Sequence, residues 1–458
     1  MSARERLGPR RLTEDDASLV EGALAVLDAN WLGAATLPSP RLYPHQWSWD
    51  SAFVAIGLAR IDQARAESEL RSLFAGQWAN GLLPHIVFSG DREYFPGPDF
   101  WDTDGAMPGP EQPRTSGIVQ PPVHATAAWH VYSHALDRRR ALTFLEYLMP
   151  RLVAWHEYLY RERTREGEAM VEIWHPWESG MDNSPLWDGP LARIAPPAEE
   201  IPSYERTDLR VAPPAERPST EEYDRYAYLV QQLRDAEYSA ERVRGTTAFA
   251  VQDALFNSLL VQSNRDLVRI AGALGLDPDP YEEWAEATAT ALDALLWVEA
   301  ESAYLDFDLI AGRHIDAVTA AAFTPLFAGV PSPAKAARMT DRLAGSMIAV
   351  DSGSVVPGVA LSDPSFQPAL YWRGPIWVNI NWLLGRGLLR YGYVDEARRI
   401  ADGIVELVRR SGFREHYNPL TLAGQGAEQF AWTAALVLDP CSSDPRKKED
   451  VNEYIGQV

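Results

Sequence analysis

Hydrophobic positions along this chain recur at intervals of three and four residues over most of its length, which is the period of one face of an α-helix. The pattern predicts twelve main helices, near residues 14–30, 50–60, 62–79, 121–137, 139–163, 246–272, 278–298, 316–328, 332–348, 375–391, 394–410 and 427–438. A shorter helix is predicted near 219–236, and the only β-hairpin over 304–313.

The connections between the predicted helices alternate in length. Helices two and three, four and five, six and seven, eight and nine, and ten and eleven are joined by a few residues, whereas the remaining connections are long. In an array of antiparallel helices, alternate connections emerge at the same end. The sequence therefore predicts an all-α (α/α)6 toroid of six helical hairpins, with the long loops and the active site on one face.

Two of the long loops, 80–120 and 188–218, are rich in proline. A flexible linker between domains is one interpretation of such a composition. The second loop also carries Tyr204, Arg206 and Arg210, and a hydrophobic helix follows it. We therefore expect it to form a lid over the site.

We expect a single catalytic domain over residues 1–458, with the lid inserted at about 185–240 and a polar tail from about residue 440. No stretch is apolar for long enough to cross a membrane. Residues 2–9 lack the apolar core of a signal peptide, and Cys441 has no second cysteine with which to form a disulfide. These features predict a cytoplasmic protein.

Charge and composition limit the classes of partner. The chain has 42 basic and 64 acidic residues, a net charge of −22, which disfavours binding to nucleic acids and to anionic membranes. It has 16 tryptophans, and several lie in loops rich in proline and glycine, where packing explains them less well. A small-molecule substrate is the partner we expect. A homo-oligomer is compatible with the sequence, but no motif specifies one.

The first candidate motif, Tyr-Pro-His-Gln-Trp-Ser-Trp-Asp at 43–50, leads into a helix. Asp50 can cap that helix, but capping does not account for Tyr43, Trp47 and Trp49 in the same loop. Indole faces stack on the C–H faces of sugar rings while a neighbouring carboxylate accepts hydroxyl protons. The motif therefore predicts a sugar subsite.

The second motif, at 174–188, places several aromatic residues around acidic residues at a turn that contains glycine. Asp182 is the central acid, with Glu178 and Asp188 as competitors. An apolar enclosure raises the pKa of a carboxyl group, as a general acid requires near neutrality. The alternative is a structural aspartate in an Asx-turn before Pro185.

The third motif, Phe-Arg-Glu-His-Tyr-Asn-Pro at 413–419, offers Glu415 as a second carboxylate, far along the chain from Asp182. Two carboxylates assembled across a ring fit acid–base hydrolysis. Glu428 is an equal candidate for the second group, or a first-turn acid of the last helix. The residues alone do not choose between the two.

The fourth motif, Tyr-Trp-Arg-Gly-Pro-Ile-Trp, begins at residue 371. Pro375 fits the first turn of a helix. Trp372 and Arg373 precede that helix at the long-loop end, where they can form a wall and bind an anion. Trp377 and Trp382 are predicted inside the helix, in the core.

Other motifs are weaker. His130 and His134 share a helix face without the glutamate of a zinc-protease motif, and the glycine of the calcium-like segment 102–105 comes too early for a calcium loop. There is no phosphate-binding loop and no serine nucleophile elbow. We therefore predict no metal and no cofactor.

Together the four motifs resemble glycoside hydrolase family 63, especially its compact bacterial branch of mannosylglycerate and glucosylglycerate hydrolases. The resemblance runs from about residue 20 to 440. It implies an inverting enzyme on an (α/α)6 barrel that releases glycerate from an α-linked hexosyl glycerate.

By this resemblance Asp182 is the general acid and Glu415 the general base, which leaves Glu428 a capping or substrate-contact role. Arg225 or Arg373 would bind the glycerate carboxylate, and Trp177 is a secondary candidate. The sugar subsite that the resemblance implies consists of Tyr43, Trp47, Ser48, Trp49, Asp50, Tyr94, Gln120, Gly180, Arg225, Tyr371 and Trp372.

Three alternatives remain open at this point. One is hydrolysis of a neutral α-glucoside such as trehalose or kojibiose. Another is a sugar epimerase or isomerase, which needs a histidine pair, although the clearest pair here lies within one helix. The third is a sugar-binding protein without catalysis, which would not require two carboxylates. The sequence does not choose between glucose and mannose.

Overall fold

The computed structural model describes residues 14–105, 113–346 and 355–441. Residues 2–9 and most of the predicted polar tail lie outside these ranges. The helices of the described residues are α1 (Glu14–Ala29), α2 (Ser48–Leu58), α3 (Gln63–Phe74), α4 (Pro98–Trp101), α5 (His124–His134), α6 (Arg138–Glu162), α7 (Asp188–Ala192), α8 (Thr220–Asp235), α9 (Ala240–Thr246), α10 (Ala254–Leu274), α11 (Asp279–Leu296), α12 (Pro325–Ala328), α13 (Pro333–Ser346), α14 (Val378–Arg390), α15 (Val394–Ser411) and α16 (Ala431–Cys441). None of them has the length and apolar character needed to cross a membrane.

Short antiparallel strands accompany the helices. They are β1 (Gln46–Trp47), β2 (Ile86–Val87), β3 (Val251–Gln252), β4 (Trp297–Val298), β5 (Ala303–Tyr304), β6 (Phe307–Asp308), β7 (Arg313–His314), β8 (Arg414–Tyr417) and β9 (Gly424–Glu428). β1 pairs with β2, β4 with β5 and β8 with β9, and β6 lies between β3 and β7. These strands order the long loops rather than build a sheet core.

Six helices form a closed inner ring. In order around the ring they are α2, α5, α10, α12, α14 and α16; each contacts the next, and α16 contacts α2. Short turns join the first five to the outer helices α3, α6, α11, α13 and α15, and α1 packs on α16. The predicted (α/α)6 toroid is confirmed. The long connections share one end of the ring.

Burial separates the two layers. All eleven residues of α2, an inner helix, are buried, whereas the outer helix α3 buries one face only. Two glycines permit close helix approaches in the inner ring. A Cβ on Gly57 would lie 2.2 Å from the carbonyl oxygen of Ala435, and a Cβ on Gly387 would lie 2.7 Å from the backbone nitrogen of Phe327.

Several predicted helix boundaries are wrong, all at the long-loop end. The helix predicted from residue 246 begins at Ala254, after the extended strand β3. The helix predicted from Pro375 begins at Val378, so Pro375 precedes its first turn and Trp377 is its N-cap residue. In each case buried chain near the pocket forms backbone hydrogen bonds to another loop, as Val251 does with Ile173 and Ile376 with Tyr417. Tertiary pairing overrides local helical propensity there.

Two further corrections concern irregular elements. The predicted helix 316–328 is a 3₁₀ turn at Ala320–Phe323 followed by α12. The hairpin predicted over 304–313 is present as β6 and β7, but it is not the only one, because β4–β5 and β8–β9 are also hairpins. The β8–β9 hairpin was missed because its strands contain Gly424 and Gly426, which are poor strand formers.

Candidate active site

A pocket of about 600 Å³, a volume that includes open solvent at its mouth, lies at the end of the ring where the long loops meet. It collects aromatic rings, three carboxyl groups and one guanidinium group from five separate loops. Its lining residues are Pro38, Tyr43, Trp47, Trp49, Asp50, His85, Tyr94, Pro96, Gln120, Trp177, Gly180, Asp182, Arg217, Tyr223, Tyr371, Trp372, Glu415, Phe430 and Trp432.

The first motif forms one wall of the pocket. Strand β1 pairs with β2, and α2 follows immediately, with Trp47 as its N-cap residue. Asp50 therefore lies in the first turn and does not cap the helix, which corrects the capping interpretation. Its side chain is buried at the pocket, and burial raises the pKa of Asp50 well above its usual value, with the charges of Glu415 and Asp182 as further causes.

Glu415 lies on β8 and is almost completely buried, with 1% exposure. The Tyr43 hydroxyl donates to its Oε1 at 2.7 Å, and the Ala427 backbone N–H donates to its Oε2 at 2.9 Å. Burial raises the pKa of Glu415, while the charge of Arg217 and these two donors lower it. The donors favour the ionised carboxylate.

Asp182 reaches the same pocket from the loop before α7. Burial raises its pKa to about 7, opposed by the charge of Arg217 and assisted by that of Glu415. Gly180 shapes the approach to this residue: its φ is +73°, and a Cβ there would lie 2.5 Å from the Trp49 ring. The loop therefore packs directly on the sugar-subsite wall. The Tyr226 hydroxyl donates to the Asp182 carbonyl at 2.8 Å and fixes the backbone.

Tyr371 and Trp372 also line the pocket, next to the first motif. The hydroxyl oxygens of Tyr371 and Tyr43 are 3.1 Å apart. Trp372 adopts a left-handed backbone conformation, with φ +59°, and stacks on Trp377 with ring centroids 3.6 Å apart. A bulky residue rarely adopts this conformation. The ring of Trp372 lines the pocket.

Arg217 supplies the positive charge of the pocket, and sequence reasoning missed it. Its Nη1 donates to the Tyr43 hydroxyl at 3.0 Å and its Nε to Asp208 Oδ2 at 3.0 Å. Arg206 also pairs with Asp208, with Nη2 at 2.6 Å from Oδ2, and the Tyr223 hydroxyl is 3.3 Å from the same oxygen. Two guanidinium groups therefore share one carboxylate, and Arg217 is the one of the two that lines the pocket.

Four predicted site residues do not line the pocket. The Ser48 hydroxyl bonds to His124 Nε2 at 2.9 Å. Arg225 donates to Glu221 at 2.8 Å and to the Ile194 carbonyl at 3.0 Å, while Arg373 forms an ion pair with Asp188. These pairings correct the expectation that Arg225 or Arg373 supplies the cation at the pocket. The fourth is Glu428, whose side chain pairs with Arg414.

The other candidates for the two catalytic carboxyl groups, Glu428, Glu178 and Asp188, lie outside the pocket. Glu428 ends β9, its side chain is 69% exposed, and it pairs with Arg414 at 2.7 Å, so it is not a first-turn acid of α16. Glu178 is fully buried in an ion pair with Arg163. Asp188 pairs with Arg373 and does not line the pocket.

Several other lining residues were not predicted, although two of them carried a signal. Phe430 and Trp432 closely follow Glu428, a candidate acid, at the start of the predicted helix 427–438. His85 and Tyr223 carried no such signal. His85 is buried, and burial lowers its pKa to about 3, so it is neutral at physiological pH.

Within the described ranges, no group of three or more His, Cys, Asp or Glu side chains is arranged to hold a metal ion. The charged groups of the pocket are three carboxyl groups and one guanidinium. This set is suited to proton transfer between carboxyl groups and a hydroxylated ligand.

Comparison with known proteins gives consistent results. The profile of the mannosylglycerate hydrolase MGH1-like glycoside hydrolase domain matches residues 43–433. Mannosylglycerate hydrolase from Rubrobacter radiotolerans is 47% identical over 442 residues, which cover 96% of this chain and 99% of that protein. Glucosylglycerate hydrolase from Mycolicibacterium hassiacum is 36% identical over 444 residues, covering 92% and 97%.

A solved structure agrees. The crystal structure of GH63 mannosylglycerate hydrolase from Thermus thermophilus in complex with Tris and D-glycerate has a TM-score of 0.85 at 43% identity, covering 92% of this chain and 99% of that chain. The matched segment 43–433 contains all four motifs. The predicted resemblance is confirmed, and the chain belongs to the MGH1-like glycoside hydrolases of family 63.

Proposed function

We propose that this protein is an inverting glycoside hydrolase that cleaves an α-linked hexosyl glycerate, mannosylglycerate or glucosylglycerate or both, to hexose and glycerate. The observation that carries the proposal is one pocket that brings together Asp182 and Glu415 from separate loops and the buried Arg217 from segment 185–240. The names of the relatives, mannosylglycerate and glucosylglycerate hydrolases, support the same substrate class.

Asp182 acts as the general acid in this proposal. A pKa of about 7 keeps a substantial fraction of its carboxyl protonated near neutral pH. The proton passes to the glycosidic oxygen as the bond to the anomeric carbon breaks, so that glycerate leaves as a neutral alcohol at that oxygen. General acid catalysis of this kind contributes about 10²- to 10⁴-fold in rate.

Glu415 acts as the general base. The hydroxyl of Tyr43 and the N–H of Ala427 stabilise its ionised form, so it can accept a proton from a water that attacks the opposite face of the sugar. Inverting glycosidases hold their two carboxyl groups roughly 6.5–9.5 Å apart, which leaves room for that water. The α-linked substrate would then give the β-anomer first.

Arg217 binds the glycerate carboxylate. Because Arg206 and Arg217 share Asp208, that carboxylate balances only one of the two guanidinium charges. A guanidinium group matches a carboxylate in charge and geometry. A neutral α-glucoside makes no use of that charge, which favours the hexosyl glycerate over trehalose or kojibiose.

The first experiment is an NMR time course with the purified protein on mannosylglycerate, glucosylglycerate, trehalose and kojibiose. We expect glycerate and free hexose from at least one hexosyl glycerate, with the β-anomer appearing before mutarotation. The α-anomer appearing first would contradict inversion. An epimerised sugar, or no change in either glycerate conjugate, would contradict hydrolysis.

The second experiment tests the anion subsite with Arg217→Met. Loss of a hydrogen bond to a charged group should raise KM for the hexosyl glycerate about 10- to 100-fold. Arg225→Met is the matched control, because Arg225 is held outside the pocket by Glu221. An equal effect of the two variants, or an equal rise in KM for a neutral glucoside, would reject the assignment.

A cytoplasmic location, independence from metals and cofactors, and the state of assembly remain predictions from the sequence. So does the role of residues 185–240 as a lid over the site; Arg217 and Tyr223 of this segment line the pocket.

A further inference from the structure

A buried ion pair lies behind the loop that carries Asp182. Glu178 is completely buried, and its partner Arg163 is 1% exposed. The pair is bidentate: Arg163 Nη1 donates to Glu178 Oε2 at 2.9 Å, and Nη2 donates to Oε1 at 2.6 Å. Such a pair in the interior is stable only when the remaining lone pairs are also hydrogen-bonded.

Those lone pairs are used by the backbone of two different loops. Glu178 Oε1 accepts the Val119 N–H at 3.2 Å, and Oε2 accepts the Trp174 N–H at 2.6 Å. Val119 precedes Gln120, whose side-chain oxygen accepts the Trp49 N–H at 3.1 Å. One carboxylate therefore joins the loop of the proposed acid to the segment at 119–120, which contacts the sugar subsite through Gln120.

Arg163 fixes this junction to the helical scaffold. It is the C-cap residue of α6. Its Nε donates to the Tyr158 hydroxyl at 3.2 Å, and its guanidinium lies over the Trp174 ring, 3.8 Å from the centroid. Both ends of the guanidinium are therefore held, and the pair has little freedom to move.

We propose that Glu178, held by Arg163, is a positioning residue for the general acid: it keeps loop 174–182 in register with Gln120, so that Asp182 meets the glycosidic oxygen. The inference rests on the proposed function. Glu178 itself does not line the pocket, so it acts only through the loop.

Glu178→Gln is the variant that tests this. An amide has one acceptor oxygen and one NH2 group, so it can accept only one of the Val119 and Trp174 N–H groups and must turn a donor toward the other. The side-chain volume is nearly unchanged. The loop should lose one of its two attachments, and the acid should shift from its productive position.

The readout compares two substrates of the same hexose: the hexosyl glycerate and the α-hexosyl fluoride. With the fluoride, the carbon–fluorine bond breaks, water bonds to the anomeric carbon and passes its proton to Glu415, and fluoride leaves without protonation. We expect kcat on the glycerate to fall about 10- to 100-fold, the scale of a small misplacement, with KM and turnover of the fluoride close to wild type. Asp182→Asn should give the same selective pattern with a larger loss.

Glu67→Gln is the matched control. Glu67 is also a buried glutamate paired with an arginine, Arg140 at 2.9 Å, but the pair lies at the short-turn end of the ring. It should leave both substrates unaffected. A thermal unfolding curve shows whether Glu178→Gln folds. If it does not, the double variant Arg163→Met/Glu178→Gln, which removes both charges, is tested in the same way.

The outcomes separate the two proposals. A wild-type protein that hydrolyses neither substrate contradicts the proposed function. A wild-type protein active on both, with a Glu178→Gln variant that is unchanged or equally slow on both, overturns the positioning role alone. If neither variant folds, the pair is required for the fold itself, which also rejects a specific positioning role.

Discussion

The two proposed catalytic carboxyl groups lie on different kinds of backbone. Glu415 is on a β-strand whose partner β9 donates a backbone N–H to it, and Tyr43 donates a second hydrogen bond. Asp182 is on a loop between short helical turns, and what dominates its pKa is burial. Burial is the largest influence on both groups and raises the pKa of each, but Glu415 also accepts hydrogen bonds from Tyr43 and Ala427 that favour its ionised form.

The two groups also influence each other and do not titrate independently. The charge of Glu415 raises the pKa of Asp182, and Arg217 lowers the pKa of both. Asp50 is the third carboxyl of the pocket, and both other acids raise its pKa further. The pH profile should therefore report values that belong to the cluster rather than to single residues.

The largest effect is expected from Asp182→Asn. Removal of the general acid should lower kcat on the hexosyl glycerate by about 10³-fold and leave KM nearly unchanged. Wild-type activity should decline as the pH rises through about 7, because the acid loses its proton there. Steady-state kinetics from pH 4 to about pH 9 measure both effects.

The matched control is Asp188→Asn, since Asp188 pairs with Arg373 outside the pocket. It should retain activity and the same decline above neutrality. Asp182 would not be the general acid if Asp182→Asn turned over normally. The same conclusion would follow if the activity of Asp188→Asn no longer declined above neutral pH.

A smaller effect, about 100-fold on kcat, is expected from Gly426→Ala, on the scale of a misplaced catalytic group. A Cβ at Gly426 would lie 2.4 Å from Glu415 Oε2, so the base must move. Gly90→Ala is the control for backbone strain: Gly90 has φ +61° against +63° at Gly426, but nothing lies within 4 Å of its Cβ position. Equal kinetics of the two variants would mean that Glu415 tolerates displacement.

The smallest effect is expected from Tyr43→Phe, which removes one donor from Glu415. The hydrogen bond lowers the pKa of Glu415, so its loss should raise that pKa. Because the base must be ionised, the acidic limb of the kcat/KM profile should move to higher pH by about one unit. Tyr94→Phe serves as a comparison, since Tyr94 lines the pocket without a hydrogen bond to Glu415. If the acidic limb of the Tyr43→Phe profile has the same pKa as that of the wild type, the ionisation that it reports does not belong to Glu415.

Much of the sugar-subsite wall could be predicted because its residues are close together in the sequence. Tyr43, Trp47, Trp49 and Asp50 lie within eight residues, and all four line the pocket. Ser48 lies between them and points to His124 instead. The start of α2 at this residue decides which side chains face the pocket, and helix boundaries are the least certain part of a periodicity argument.

The role of Arg217 could not be predicted from the sequence. Nothing in its neighbourhood distinguishes it from Arg206 or Arg210 in the same proline-rich segment. Arg217 is held at the pocket by its hydrogen bond to Tyr43, 174 residues away, and by the carboxylate of Asp208, which it shares with Arg206. Arg225 has the same charge, yet Glu221 and the Ile194 carbonyl hold it away from the pocket.

The amino-acid sequence by itself determined the helical period, the alternation of short and long connections and hence the (α/α)6 ring with its loops on one face, because these depend on local spacing. Only the tertiary structure decided which charged groups of those loops meet in the pocket and which are neutralised elsewhere. The reason is physical: an arginine or glutamate has the same local preferences wherever it stands, and its pKa, burial and partners depend on groups brought to it by the closed ring.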